Sequence, residues 1–114
     1  DGSSMRDYTY ISDIVDGIVS AIKNENSLKC EVINLGNSTP VSLNEFIETC
    51  EQVADKKAKY EQIEEQLGDV PVTFADISKA KQLLNYEPKV KLKDGLQHTY
   101  DWMNKSKIII ENIV

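Results

Sequence analysis

The chain has 114 residues, of which 40% are hydrophobic and 28% charged, a composition typical of one soluble globular domain with a modest core. Its formal net charge is −6, from 19 acidic and 13 basic residues. An acidic surface repels phosphate backbones and anionic lipid headgroups, so we expect neither nucleic acid nor a membrane as a general partner. An anionic ligand would have to be held by local donors acting against this field.

The two cysteines, Cys30 and Cys50, are far apart in sequence and form no C-x-x-C pair. With His98 they offer three candidate ligands for zinc, and a zinc site needs about four, so we predict no metal site. We interpret both cysteines as reduced thiols packed like small apolar side chains, which predicts a cytoplasmic protein. His98 lies in a helical stretch, where a surface or core position is favoured over the alternative role of general base.

The first third of the chain predicts an extended segment, a helix and a β-rich run. Residues 7–11 are aromatic and β-branched, as in short strands. Ser12 is the candidate N-cap of a helix that continues to about Lys23. Residues 31–35 are β-rich and end at a glycine and a polar loop. The predicted helix carries one apolar stripe, which consists of Ile14, Val15, Ile18, Val19 and Ile22.

A capping box formed by Ser42 and Glu45 predicts the start of a second helix, because each side chain can bond the backbone amide of the other. Residues 57–63 are predicted as a strand, and residues 64–75 as irregular. The buried face of the second helix is expected to consist of Leu43, Phe46, Ile47, Cys50, Val53 and Ala54.

The last third predicts a short helix capped by Asp76 or Ser78 and stopped before Pro88, followed by a helix from about Lys93. The isoleucine-rich tail, residues 105–114, could extend this helix, pair as a strand or be frayed. Helices alternating with a few short strands predict a small mixed α/β domain, with too few strands for a large doubly wound sheet.

The sequence lacks the motifs of dinucleotide-dependent oxidation. Its five glycines never form the glycine-rich turn between strand and helix that binds a dinucleotide phosphate. No tyrosine has a lysine four positions later, the spacing that places an activating ammonium one helical turn from a tyrosine base. The chain also begins without methionine, so we expect it to be a piece of a longer protein.

Several segments nevertheless resemble, in order, the motifs of extended short-chain dehydrogenases that act on nucleotide sugars. They cover residues 1 to about 104, which would form a carboxyl-terminal nucleotide-sugar-binding portion. The amino-acid sequences of these motifs are most similar to those of UDP-glucuronate 4-epimerases. The segments are Met5-Arg6-Asp7-Tyr8-Thr9-Tyr10-Ile11-Ser12-Asp13-Ile14-Val15-Asp16-Gly17, Val32-Ile33-Asn34-Leu35-Gly36-Asn37, Gly68-Asp69-Val70-Pro71, Ala75-Asp76-Ile77-Ser78-Lys79-Ala80, Leu84-Asn85-Tyr86-Glu87-Pro88 and Leu92 through Trp102.

The resemblance implies a nucleotide-binding role for four residues. Arg6 corresponds to an arginine on the nucleotide diphosphate, Tyr8 to an aromatic residue near the nucleotide, and Asp69 to an acid on the ribose hydroxyls. Gln66 stands where related enzymes carry an arginine, and it can donate only neutral hydrogen bonds. Without the motif, Arg6 would be interpreted as half of a surface charge pair and Asp69 as a turn residue.

The resemblance further implies that NAD and the catalytic residues belong to a missing amino-terminal Rossmann domain, which would be this chain's partner. No cofactor is expected in the 114 residues, and we predict that they are inactive alone. Two alternatives remain. The chain could be a free-standing non-enzymatic module that binds a nucleotide or a protein, or a fragment that self-associates through uncovered surfaces. Asp7 and Asp13 are predicted to be structural, as a turn acceptor and a helix-start anion.

Overall fold

A computed structural model describes residues 2–24, 28, 30–63 and 68–106. The predicted class, a small mixed α/β unit, is confirmed. Most of the tail and Gln66 lie outside the described residues. In chain order the elements are β1 (Met5–Arg6), α1 (Ile11–Lys23), β2 (Val41–Ser42), α2 (Leu43–Ala54), α3 (Ser78–Leu84) and α4 (Leu92–Ser106).

Strand β1 lies between two other parts of the chain. On one side it pairs antiparallel with β2, which places Met5 opposite Ser42. On the other side Met5 forms an isolated parallel bridge with Val72. The Met5 amide donates to the carbonyl of Pro71 at 2.8 Å, and the Met5 carbonyl accepts from the amide of Thr73 at 3.1 Å. Both edges of this short strand are therefore occupied.

Helix α1 begins one residue before the predicted cap. Its N-cap is Tyr10, which makes no side-chain capping bond, so the prediction of Ser12 as the cap is wrong. The anion of the first turn, Asp13, is only 3% exposed, and its carboxylate accepts from the amide of Val90 at 3.0 Å. A buried carboxylate needs such a donor, and the helix dipole favours it here. Asp13 thus joins α1 to the segment that leads into α4.

The predicted start of α2 is confirmed, since the Ser42 hydroxyl accepts from the amide of Glu45 at 3.2 Å. The face of α2 that was predicted to be buried is less buried than expected. No residue of α2 is fully buried, and Leu43 is exposed. The helix packs on one side against α4, which leaves its apolar face only half covered.

Two predicted strands are not found within the described residues. Residues 31–35 form no backbone hydrogen bond to another described segment, and residues 57–63 are exposed and irregular. The extended segment at 7–11 is likewise replaced by β1 at residues 5–6. A β-rich sequence forms a strand only where a neighbouring strand can take its hydrogen bonds, and the described chain offers none at these places.

The core is small and lies around α3. Ser20 of α1 donates its hydroxyl to the carbonyl of Leu84 at 2.8 Å, which ties the two helices together. The N-cap of α3 is Ile77, which makes no side-chain capping bond, so the prediction of Asp76 or Ser78 as the cap is wrong, although the Asp76 carboxylate accepts from the amide of Ser78 at 3.0 Å. The helix ends at Asn85 in the left-handed region. The buried cluster consists of Ile77, Ala80, Leu84 and Tyr86, with Ala21, Leu28, Ile33, Leu35 and Ala75 packed against it.

The carboxylate of Asp7 joins three segments. Its Oδ2 accepts from the amides of Ser38 at 3.0 Å and Ala75 at 3.1 Å, and its Oδ1 accepts from the amide of Thr39 at 3.3 Å. Gly36 allows this approach, because a Cβ at that position would lie 2.8 Å from Asp7 Oδ2. The predicted turn acceptor therefore also fixes the segment around Ala75, which sequence reasoning did not foresee.

We expect Asp7→Ala to lower the free energy of unfolding by about 2–4 kcal/mol, because three amides lose a charged acceptor. Urea denaturation followed by circular dichroism measures this change. Asp16→Ala is the matched control, since Asp16 is an exposed carboxylate of α1. Equal unfolding midpoints for the two variants would show that the Asp7 bonds do not hold the segments together.

A second prediction concerns Tyr86, which is 4% exposed and donates its hydroxyl to the carbonyl of Gly36 at 3.0 Å. Burial, and next the charge of Asp13, raise the pKa of the Tyr86 phenol. Its contribution to stability is therefore complete below the ordinary tyrosine pKa of about 10 and is lost as pH rises through the higher folded value.

Tyr86→Phe should lower the free energy of unfolding by about 1 kcal/mol at neutral pH. It should also remove the part of the fall in stability at alkaline pH that comes from ionisation of the Tyr86 phenol. Unfolding free energies measured from pH 8 to pH 11 provide the test, with Tyr60→Phe, at an exposed position, as the control. A Tyr86→Phe curve that runs parallel to the wild-type curve up to pH 11 would contradict the burial of an un-ionised phenol.

Candidate functional site

Two of the predicted ligand contacts, 63 residues apart in sequence, touch each other. The Arg6 guanidinium donates from Nη1 to the carbonyl of Met5 at 2.8 Å, and from Nη2 it forms an ion pair with Asp69 Oδ1. The two side chains are 29% and 51% exposed. A cation and a carboxylate acceptor therefore stand side by side, both accessible to a ligand.

Local turn chemistry positions Asp69. Gly68 has a φ of +94°, a conformation that other residues rarely adopt, and it directs the chain into the turn. Asp69 Oδ1 also accepts from the amide of Val70 at 3.0 Å, so the turn role considered for this residue is present beside the pairing with Arg6. Gln66 lies outside the described residues, so its predicted contact stays a prediction.

Tyr8 lies in a different place from Arg6. Its ring stacks on Phe46 of α2, with ring centroids 4.3 Å apart and planes inclined by 20°. The two rings line a cavity of about 170 Å³ together with Tyr10 and with Gly95 and Leu96 of α4. Tyr8 thus contributes to the packing between α2 and α4, and its predicted proximity to a nucleotide stays a prediction.

Arg6 lines an open groove of about 610 Å³, which we call the Arg6 groove. Sequence reasoning missed its most exposed large apolar side chain, Phe74, because residues 64–75 were predicted only as irregular. An aromatic residue three positions after Pro71, in a segment predicted to be irregular, was the available signal, since loops often carry binding residues. The lining consists of Arg6, Asp7, Thr9, Ile33, Asn34, Leu35, Gly36, Thr73, Phe74 and Ala75.

Within the described ranges, the acids, histidines and cysteines elsewhere give no second site. In the part of the chain that the structure describes, no three histidines, cysteines or acids gather where they could hold a metal ion. Burial raises the pKa of the Cys50 thiol, whereas Cys30 is exposed, so the prediction that both cysteines pack as apolar residues is wrong for Cys30. His98 is exposed beside the Tyr10 ring. None of the described helices is long and apolar enough to span a membrane.

The chain is similar to the carboxyl-terminal portion of solved nucleotide-sugar epimerases. The structure of UDP-glucuronic acid 4-epimerase from Bacillus cereus in complex with UDP-glucuronic acid and NAD matches with a TM-score of 0.85 and 38% identity. The match covers 93% of this chain and 34% of that one. This likeness confirms the predicted fold class. The fold is that of the carboxyl-terminal portion of nucleotide-sugar epimerases.

The GDP-mannose 4,6 dehydratase family model matches residues 1–99, and the chain belongs to that family. UDP-glucuronate 4-epimerase of Thermodesulfobacterium geofontis is 44% identical over 114 residues, which are 99% of this chain and 34% of that protein. Protein MJ1055 of Methanocaldococcus jannaschii, which is uncharacterised, is 48% identical over 106 residues, or 32% of its length. The chain thus spans about a third of the curated relatives that it matches.

Proposed function

We propose that the chain is the UDP-sugar-binding part of an NAD-dependent nucleotide-sugar 4-epimerase, with UDP-glucuronate as the substrate. The accessible pair of Arg6 and Asp69 carries this proposal. Sequence similarity supports the sugar, because identity is 44% to a UDP-glucuronate 4-epimerase and 38% to the protein YtcB of Bacillus subtilis, which is named as a UDP-glucose epimerase.

The chemistry of the pair suits a nucleotide diphosphate. A guanidinium is a planar fork of donors that can bind two phosphate oxygens at once. Bonds to Met5 and Asp69 hold the Arg6 side chain in place before a ligand arrives, which reduces the entropy lost on binding. The Asp69 carboxylate can accept hydrogen bonds from ribose hydroxyls. The chain carries a net charge of −6, which repels an anionic ligand. The Arg6 guanidinium provides the local positive charge that such a ligand needs in order to bind.

We assign NAD and the hydride-transfer residues to sequence outside these 114 residues. NAD supplies the reversible oxidation of the sugar when it is bound, whereas this chain contributes binding and orientation. The missing glycine-rich turn and Tyr-x-x-x-Lys spacing support this division. The free thiols of Cys30 and Cys50 support a reducing cytoplasmic location.

The surface of α1 supports a Rossmann domain as the partner. A stripe of apolar residues on this helix, named at the end of this paragraph, is exposed. Residues 31–35 make no backbone–backbone hydrogen bond within the described chain, and the Val32 carbonyl accepts from Lys79 Nζ at 3.0 Å. A sheet could accept these hydrogen bonds and pack against the stripe, as in other α/β layers. The exposed apolar residues of α1 are Ile11, Val15, Ile18, Val19 and Ile22.

We therefore expect the purified 114-residue chain to self-associate and to show no turnover with NAD and UDP-glucuronate. Uncovered apolar patches larger than a few hundred Å² usually find partners. Light scattering at high concentration measures the association, and Ile18→Gln should reduce it, because Ile18 lies within the stripe. Tyr60→Gln, at an exposed position on the 57–63 segment, is the control.

A chain that stays monomeric at high concentration and binds no dye for apolar surfaces would contradict the uncovered face. Turnover above background by the isolated chain would contradict the assignment of the catalytic residues elsewhere. The two readouts are independent, so each part of the proposal can fail separately.

In the intact protein, Arg6→Ala should weaken binding of UDP by about 1.5–3 kcal/mol, the range for a hydrogen bond to a charged group. This corresponds to a rise in Kd of about tenfold to a hundredfold. Arg6→Lys should recover part of the loss, because an ammonium keeps the charge but not the fork. Titration calorimetry with UDP and with UDP-glucuronate should give the same loss, since the contact is to the nucleotide.

Two controls accompany this experiment. Affinity for NAD should be nearly unchanged, and the melting temperature should move little, because an exposed ion pair contributes about 0–1 kcal/mol to stability. Unchanged UDP affinity in Arg6→Ala would remove Arg6 from the site. A large fall in the melting temperature would assign Arg6 a structural role instead.

A further inference from the structure

The segment that leads into α4 carries a lysine at every second position, at Lys89, Lys91 and Lys93. The three lysines are exposed, whereas the residues between them, Val90 and Leu92, are partly buried. This alternation shows that the lysines share one outward face of the segment.

These three lysines have no acidic partner. Within the described chain, Lys57 and Lys79 each pair with a glutamate, but the lysines of this segment form no ion pair. The chain has 19 acidic and 13 basic residues, so a group of cations without acids is not what its composition predicts. Like charges held close together repel each other, and an anion bound among them would remove that repulsion.

The three lysines line a groove of about 470 Å³ beside α2, which we call the Lys91 groove. Asn37, Thr39 and Thr49 add neutral polar side chains to its lining, and Glu45 is the one acid that lines it among the described residues. The lining therefore has an excess of positive charge, on a chain whose overall charge is −6. Its volume falls within the range of small-molecule sites.

The backbone that carries the lysines is held in place. The amide of Val90 donates to the buried carboxylate of Asp13 at 3.0 Å, and the Lys91 carbonyl accepts from an amide in the first turn of α4 at 3.0 Å. Lys93 Nζ donates to Gln52 Oε1 at 3.3 Å, which connects α4 to α2. The positive charges are thus attached to a fixed frame, which reduces the entropy lost when a ligand binds.

We propose that the Lys91 groove binds a small molecule through a diphosphate group, at a site separate from Arg6. An ammonium binds phosphate as a point charge, and three ammonium groups can share the negative charges of one diphosphate. The Arg6 groove and the Lys91 groove have no lining residue in common. Free pyrophosphate and the diphosphate of a nucleotide present the same chemistry to such a groove.

Calorimetric titration of pyrophosphate into the intact protein tests this site, with UDP and NAD at saturation to occupy the other phosphate sites. Lys89→Gln combined with Lys91→Gln should raise the Kd about fivefold to thirtyfold, as expected for loss of two exposed charge contacts. Lys89→Arg combined with Lys91→Arg keeps both charges and should stay within about threefold of the wild type. Lys23→Gln combined with Lys59→Gln, at exposed positions outside the groove, should change the Kd less than about twofold.

A second titration, with ADP in place of pyrophosphate, distinguishes the two sources of the diphosphate. Binding of pyrophosphate at least as tight as that of ADP identifies the free anion, whereas tighter binding of ADP identifies a nucleotide. Both results require that the glutamine pair weakens binding.

Two results would overturn the proposal. One is that pyrophosphate and ADP both fail to bind the saturated wild type, and the other is that the wild type and the glutamine pair have equal Kd values. If a melting curve shows that the glutamine pair is unfolded, Lys91→Gln alone serves in its place. If UDP does not bind, the proposed function fails, and the same variants are compared without UDP.

Discussion

The hydrogen bonds accepted by Asp7 determine where the candidate site lies. One carboxylate accepts amides from residues 31, 32 and 68 positions away, so it joins β1 to the 38–39 loop and to the segment at Ala75. The residue before it is Arg6, and the residue before Ala75 is Phe74. The same interaction that closes the fold therefore also brings the cation and the exposed aromatic ring to one groove.

Local signals in the sequence predicted the helices well, because their causes lie within a few residues. The Ser42 cap and the end of α3 before Pro88 are examples. Contacts between distant residues could not be predicted from local patterns. The Asp7 amides and the Arg6–Asp69 pair depend on chain segments that meet only after folding. The strand predicted at residues 31–35 had the right composition, but a strand also needs a partner, and composition cannot supply one.

The described fold has a small core and large exposed apolar surfaces. The buried cluster is confined to the surroundings of α3, whereas the stripe on α1 faces outward. A chain that spans about a third of its relatives can leave such surfaces for the remainder of a larger protein to cover. On this account, the nucleotide would bind where the groove meets that remainder.

The most direct test is a crystal structure of the intact protein with UDP-glucuronate and NAD. The account predicts that the diphosphate accepts hydrogen bonds from the Arg6 guanidinium and that the ribose hydroxyls donate to Asp69. It also predicts that the NAD pyrophosphate is held by residues outside the 114 considered. A nucleotide bound away from Arg6 and Asp69, or an NAD pyrophosphate held by this chain, would contradict it.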